Sequence, residues 1–212
     1  MSPNTPERTV ERLGQYRRLL ASKSADSAPS VFSHELAGST GVTAAQVRRD
    51  MMTIGFSGSP TRGYNVELLG QAIARILDPP QAQEIALVGV GNLGRAILAY
   101  FVGRRPQLAL TVAFDTDAER YNRVIHGCRC YPATEMEALI QGRGIHTAIL
   151  AVPAASAQAV AERIITAGVT GILNFAPVRL HVPDWVFVES MDLALSLEKV
   201  AFFGRQQTKP QG

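Results

Sequence analysis

The residues with the most specific chemistry in this sequence are Gly89, Val90, Gly91, Asn92, Leu93 and Gly94. They follow directly on the apolar run 84–88 and lead into a helical stretch that begins at Arg95. A G-x-G-x-x-G turn between a strand and a helix is the fingerprint of a dinucleotide-binding βαβ unit. Gly89 permits the tight turn, Gly91 lets the backbone approach a pyrophosphate, and Gly94 allows close helix–strand packing. The unsatisfied amides at the helix start then face the phosphate charge. A second strand spans 108–114 and ends at Asp115, where a carboxylate binds the adenosine ribose hydroxyls and repels a 2′-phosphate. Asp117 adds negative charge and no Arg directly follows Asp115, so the expected cofactor is NADH/NAD+ rather than NADP(H). Val152 and Pro153 end a strand over 147–152, and Asn174, Phe175, Ala176 and Pro177 lie at the end of another over 171–175. That carboxyl edge is where a nicotinamide sits in an open α/β sheet. Tyr100, in the first helix, is a candidate to face the same edge.

A second constellation lies in the first third of the chain. Residues 33–37 start a short helix with Ser33 as its expected N-cap, 38–42 make a Gly-containing turn, and Thr43 caps a helix over 44–54 with Val47 and Met51 inward. Two short helices joined in this way form a helix-turn-helix, whose second helix enters the major groove of DNA. Gln46, Arg48 and Arg49 stand near the start of that helix. Arginine offers a fork to guanine and glutamine can pair with adenine. Residues 55–64 read as a β-hairpin wing with Arg62 near its tip. His34 reads as a surface or capping residue.

The remaining elements position these two sets. A helix over 8–22 carries Val10, Leu13, Tyr16, Leu19 and Leu20 at three- and four-residue intervals. A Ser/Ala/Pro-rich loop follows over 24–30, and Leu68, Leu69, Ile73, Ile76 and Leu77 mark a further amphipathic helix. Pro79-Pro80 cannot continue it. The expected fold class is therefore α/β: a winged helix-turn-helix domain over 1–80, then a Rossmann-like doubly wound parallel sheet over 81–190. Residues 191–203 are apolar on more than one side, which predicts a C-terminal helix over 191–204 that buries against a second subunit. The tail 206–212 reads as frayed.

Composition narrows the functional classes. The chain has 212 residues, 46% hydrophobic and 18% charged, with a net charge of +3, which fits a folded protein rather than a disordered or fibrous one. Between Arg8 and Tyr64 eight basic residues face four acids, whereas 81–212 holds 12 against 11, so the basic excess is confined to the helix-turn-helix segment. No apolar run reaches the ~18 residues of a membrane span. The polar N-terminus has no secretory h-region, so the expected location is the cytoplasm. Finger-spaced zinc ligands are missing, so no metal is expected. Cys128 and Cys130 form a C-x-C in an Arg-rich, exposed-looking segment and read as ordinary thiols. His126, His146 and His181 read as surface residues, His181 being the best remaining candidate for an acid/base. Three readings follow: a nucleotide-sensing DNA-binding protein without catalytic residues, a small NAD-dependent oxidoreductase with an N-terminal oligomerisation domain, or a DNA-binding protein whose Rossmann domain only dimerises.

The motifs in their order resemble the Rex family of redox-sensing transcriptional repressors. The similarity covers about 8–204 and runs through Gly41-Val42-Thr43-Ala44-Ala45-Gln46-Val47-Arg48-Arg49-Asp50, Arg62-Gly63-Tyr64-Asn65-Val66, the glycine fingerprint, Ala113-Phe114-Asp115, Ala151-Val152-Pro153-Ala154, 171–177 and Asp192-Leu193. The resemblance implies a homodimer on a pseudo-palindromic operator DNA, released by NADH and not by NAD+. It implies a C-terminal helix swapped between subunits, a state-dependent ion pair of Arg18 with Asp192, and Tyr100 near the nicotinamide. The wing departs from the family pattern: Ser57 and Pro60 stand where an aromatic and a basic residue are usual, which puts minor-groove contacts by the wing in doubt.

Overall fold

Leu13, Tyr16 and Leu20 form one buried stripe of a helix, α1 (Glu7–Ala25). Val10 is 41% exposed, because successive i+3 steps drift by about 60° around a helix and carry it off that line. The computed structural model describes residues 5–25, 29–104 and 106–206, and the chain divides into two units, Met1–Gln81 and Ala82–Gly212. α1 runs past the expected 22 to Ala25, and Lys23 in its last turn donates to Glu35 at 2.6 Å. Of the expected loop 24–30, residues 26–28 lie outside the described residues, as does nearly all of the tail 206–212.

In the first unit β1 (Ser30–Val31) pairs antiparallel with β2 (Tyr64–Asn65). α2 (Ser33–Thr40) is capped by Phe32 rather than Ser33: Phe32 has the extended backbone of a cap, its N–H donates to the Glu35 carboxylate at 2.7 Å, and Ser33 is the first helical residue. Gly41 (φ +68°) ends the helix in the left-handed conformation that glycine adopts without strain. Thr43 caps α3 (Ala44–Thr53), accepting from the Gln46 amide at 3.2 Å, as the sequence predicts. Asn65 caps α4 (Val66–Leu77) in the same way. The expected hairpin wing is reduced to one bridge, in which Ser59 and Gly63 exchange amide hydrogen bonds of 2.9 and 2.8 Å around Pro60, Thr61 and Arg62.

The second unit is one seven-stranded sheet. β3 (Gln83–Val88), β4 (Leu108–Asp115), β6 (Cys128–Pro132), β7 (Thr147–Leu150), β8 (Gly171–Asn174) and β9 (Phe187–Ser190) run parallel, and β5 (Val124–Ile125) adds an antiparallel edge on β6. The order β6-β4-β3-β7-β8-β9 is that of the dinucleotide-binding Rossmann fold, with the reversal between β3 and β7. Alternation along β3 feeds two cores. Ala86 and Val88 face α6 (Met136–Arg143) and α7 (Ala154–Thr166), whereas Ile85 and Leu87 face α5 (Asn92–Phe101). β5 and β9 are absent from the sequence reading, which gives β6 only as a strand-like segment after His126. The tight turn at His126 (φ +49°) and Gly127 (φ +81°) joins β5 to β6, and both left-handed residues are what a two-residue hairpin loop requires. α8 (Leu193–Gln206) buries none of its residues within the chain, and Leu193, Leu197, Val200 and Phe203 are all exposed.

α3 is fixed in the first unit by a buried charge. Asp50, 1% exposed, accepts from Arg12 Nε and Nη2, both at 2.7 Å, from the Tyr16 hydroxyl at 2.9 Å and from Gln46 Nε2 at 2.9 Å. Burial alone would raise the Asp50 pKa, but the donors on Arg12, Gln46 and Tyr16 outweigh it and hold the carboxyl below its ordinary value of 3.8. A lowered folded pKa stabilises fully above the unfolded value and is lost as pH falls through the folded one. We expect Asp50→Ala to destabilise the first unit by about 3 kcal/mol. The same exchange removes Asp50's share of the stability lost on acidification below 3.8, and thermal melts across pH 2–7 check both outcomes.

Candidate functional site

The carboxyl edge of the sheet opens into a cavity of about 470 Å³. Its walls include Gly89, Gly91, Asn92 and Leu93 at the α5 start, Asp115 at the end of β4, and Val152 and Pro153 after β7. The glycine turn is built on contact distances. A methyl on Gly94 would lie 2.0 Å from the Gly89 carbonyl oxygen, and one on Gly89 (φ +94°) would lie 2.4 Å from that of Ala151. A methyl on Gly91 would meet nothing nearer than Arg120 Nη1 at 3.9 Å, so its space faces the cavity. The free amides of the first α5 turn point into the same region, a geometry that binds phosphate.

Asp115 is 7% exposed and accepts from the Val90 amide at 2.7 Å and from the Asp117 amide at 2.9 Å. Val90 is buried and serves the site through that amide. Although no Arg adjoins Asp115 in sequence, Arg120 folds back onto it at 3.4 Å and onto Asp117 at 3.1 Å. Phe175 and Pro177 line the opposite end of the cavity, and buried Asn174 braces their loop, donating to the Val178 carbonyl at 2.9 Å and accepting from the Ala176 amide at 3.0 Å. The sequence reading missed Thr116, Arg120, Ala133, Met136, Ser156 and Arg163, all of which line the cavity. Tyr100 is not brought there. It lies exposed near the end of α5 remote from the phosphate-binding turn, with Arg104 over its ring at 4.5 Å. His181 is engaged through its backbone by the Gln158 side chain, 2.9 Å each way, and does not line the cavity.

The reading helix of the first unit has an inner and an outer side. Gln46 turns its amide nitrogen to Asp50 and accepts from Arg49 Nη2 at 2.9 Å. Arg48 and Arg49 are exposed, and Arg48 makes no side-chain hydrogen bond or ion pair among the described residues. Arg48, His34 and the Ser59–Pro60 loop line one groove of about 480 Å³. Arg62 lies exposed in the same loop, its amide donating to Ser59 Oγ at 3.3 Å. Arg18 is exposed on α1, and Asp192 caps α8 by accepting from the Leu195 amide at 2.8 Å.

Burial overturns one expectation about side reactions. The thiols are not exposed: Cys128 and Cys130 are 1% and 0% exposed on β6, because alternation turns both inward and Arg129 outward. Burial pushes the Cys128 thiol up to about 12 and that of Cys130 to about 11. Among the described residues no cluster of three or more His, Cys, Asp or Glu could hold a metal ion, and no helix is long and apolar enough to cross a membrane.

A helix-turn-helix unit followed by a Rossmann sheet with a glycine-lined cavity defines a DNA-binding protein coupled to a nucleotide site, and the comparisons agree. Residues 4–51 match a putative DNA-binding protein N-terminus and residues 80–178 a CoA binding domain. The chain is 37% identical to the redox-sensing transcriptional repressor Rex of Geobacillus kaustophilus, over 98% of this chain and 97% of that one. It is 39% identical to the Streptomyces coelicolor Rex, over 95% and 78%. Among solved structures it is similar to RSP, a Rex-family repressor, with a TM-score of 0.84 at 31% identity over 97% and 96% of the two chains. RSP in complex with beta-NAD+ and operator DNA gives 0.88 at 30% identity over 97% and 94%, and RSP in complex with beta-NADH gives 0.83 at 31% over 95% and 95%. The chain belongs to the Rex family of redox-sensing transcriptional repressors.

Two outcomes test the site as drawn. Gly94→Ala should cost about 3 kcal/mol or more through backbone overlap, while Gly91→Ala should stay within about 1 kcal/mol of the parent; chemical denaturation distinguishes them. Both thiols should resist iodoacetamide in the native chain at pH 8 and react on unfolding, read by intact mass.

Proposed function

We propose that this chain is a DNA-binding repressor that senses the NADH/NAD+ ratio, binds a pseudo-palindromic operator as a homodimer, and is released by NADH. One observation carries the reading: a single chain presents an arginine without a side-chain partner among the described residues on a reading helix, and a glycine-turn cavity ending in a buried ribose-type carboxylate. The similar structures of RSP, one in complex with beta-NADH and one with beta-NAD+ and operator DNA, support it. We assign DNA binding to residues 1–80, the dinucleotide to 81–190, and subunit exchange to 191–204, whose unburied apolar helix matches a surface covered by a second copy.

Arg48 and Arg49 meet the operator from α3, with Thr43 and Gln46 at its start and Arg62 in the adjoining loop. Gly89, Val90, Gly91, Asn92, Leu93 and Gly94 cradle the pyrophosphate, Asp115 takes the adenosine ribose, and Val152 and Pro153 flank the nicotinamide. Arg18 and Asp192 form an ion pair in one state of the switch. Tyr100, which does not line the cavity of its own chain, is assigned to the nicotinamide and Asp192 by the family resemblance alone. NADH and NAD+ differ in charge and planarity at the nicotinamide ring, and a ligand shifts an equilibrium only through differential affinity. Operator half-sites demand reading helices one DNA turn apart, ~34 Å, so a small change of spacing releases the complex. The titratable residues lining the cavity are Asp115, Arg120 and Arg163, a set that gives a hydride-transfer enzyme no acid/base of ordinary type. We place the protein in the cytoplasm, with its DNA and nucleotide ligands.

Fluorescence anisotropy with an operator duplex, chosen by selection from a random library, tests the reading at fixed salt. NADH should displace the duplex and NAD+ should not. Arg48→Ala should weaken binding by about 1–3 kcal/mol. Gly91→Ala should bind DNA normally yet ignore NADH. DNA binding indifferent to both nucleotides would overturn the sensor.

A further inference from the structure

The cavity continues past the point where the glycine turn and Asp115 account for it. Strand order fixes which end is which, because β6, β4, β3 and β7 lie side by side. With the adenosine ribose on Asp115 at the end of β4 and the pyrophosphate at the α5 start, the base is directed towards the end of β6 and away from β7. That end is formed by Ala133 and Met136, and Arg163 of α7 closes it.

Arg163 is held in a fixed plane. Its Nε donates to one oxygen of the Glu137 carboxylate, and its Nη2 donates to the other at 2.9 Å and to the Ala133 carbonyl at 2.8 Å. Nη1 makes no hydrogen bond among the described residues. Both partners of the ion pair are about 40% exposed (41% and 40%), and pairs so exposed contribute little to stability. A planar guanidinium that is oriented in advance does contribute to recognising a flat ring, by stacking and by its unused donors.

We propose that Arg163, oriented by Glu137 and the Ala133 carbonyl, is the adenine-recognition residue of the dinucleotide site, stacking on the purine above the Met136 side of the cavity. The assignment rests on the dinucleotide reading given above and adds a specificity residue to it. An arginine here draws affinity from the half of the ligand that NADH and NAD+ share, so it sets how tightly both bind and leaves their ratio untouched.

The test is isothermal titration of the full chain with ADP-ribose, NADH and NAD+. In the double exchange Arg163→Leu with Glu137→Leu, which removes both charges and keeps apolar volume, all three affinities should fall by the same factor of about three to ten. The ratio of NADH to NAD+ affinity should stay constant. Arg163→Lys, which keeps the charge and loses the plane, should show the same loss. Unchanged ADP-ribose affinity in the double variant, full affinity in Arg163→Lys, or an altered NADH to NAD+ ratio would each overturn the assignment. Failure of the parent chain to bind either ADP-ribose or NADH would instead bring down the dinucleotide reading, and the assignment with it.

Discussion

The second unit depends on a separation between two backbones that no side chain survives. Gly94 faces the Gly89 carbonyl so closely that a methyl group would overlap it. This approach sets α5 against β3 and turns its first amides towards the cavity. The strand end is then secured sideways, since the Val90 amide donates to Asp115 and so ties the end of β3 to the end of β4. The anion-binding turn and the ribose-type carboxylate are thus one mechanical object. Displacing either moves the other.

A buried carboxylate plays the corresponding part in the first unit. Asp50 belongs to the reading helix itself, and its partners Arg12 and Tyr16 belong to α1, so the inner side of α3 fixes the direction of the outer side that carries Arg48 and Arg49. Gln46 links the two sides by donating inward to Asp50 and accepting from Arg49. Burial of a charge is a weak source of stability when an apolar alternative exists, so orientation is the better account of why it is here.

How legible these features were in the sequence follows from whether the cause is local. The glycine turn with its flanking strands, the Thr43 cap and the helix-turn-helix are fixed by neighbours within a few positions, and they stand where the sequence places them. Arg120 and Arg163 reach the cavity by folding back from loops and helices, which spacing does not reveal. β5 is only two residues long and β6 is built from Cys, Arg, Tyr and Pro, so neither shows an apolar run, although the His126-Gly127 pair was a usable turn signal. The thiols were misplaced because an Arg-rich segment looks solvated, while a period of two puts Cys128 and Cys130 on one face and Arg129 on the other. Tyr100, expected at the nicotinamide edge, does not line the cavity of its own chain, because it lies eight positions along α5 from Asn92, ~12 Å down the helix axis.

The burial of the two thiols also limits what the protein can hear. Peroxide and disulfides react with thiolates, and a thiol that neither meets solvent nor ionises near neutral pH offers them no target. Cys130 stands beside Ala113 on the strand that ends at Asp115, so an oxidised sulfur there would disturb the nucleotide site directly. Keeping both thiols dry and protonated separates two kinds of oxidation: the state of the dinucleotide pool enters through the cavity, and passing oxidants find no thiolate on β6.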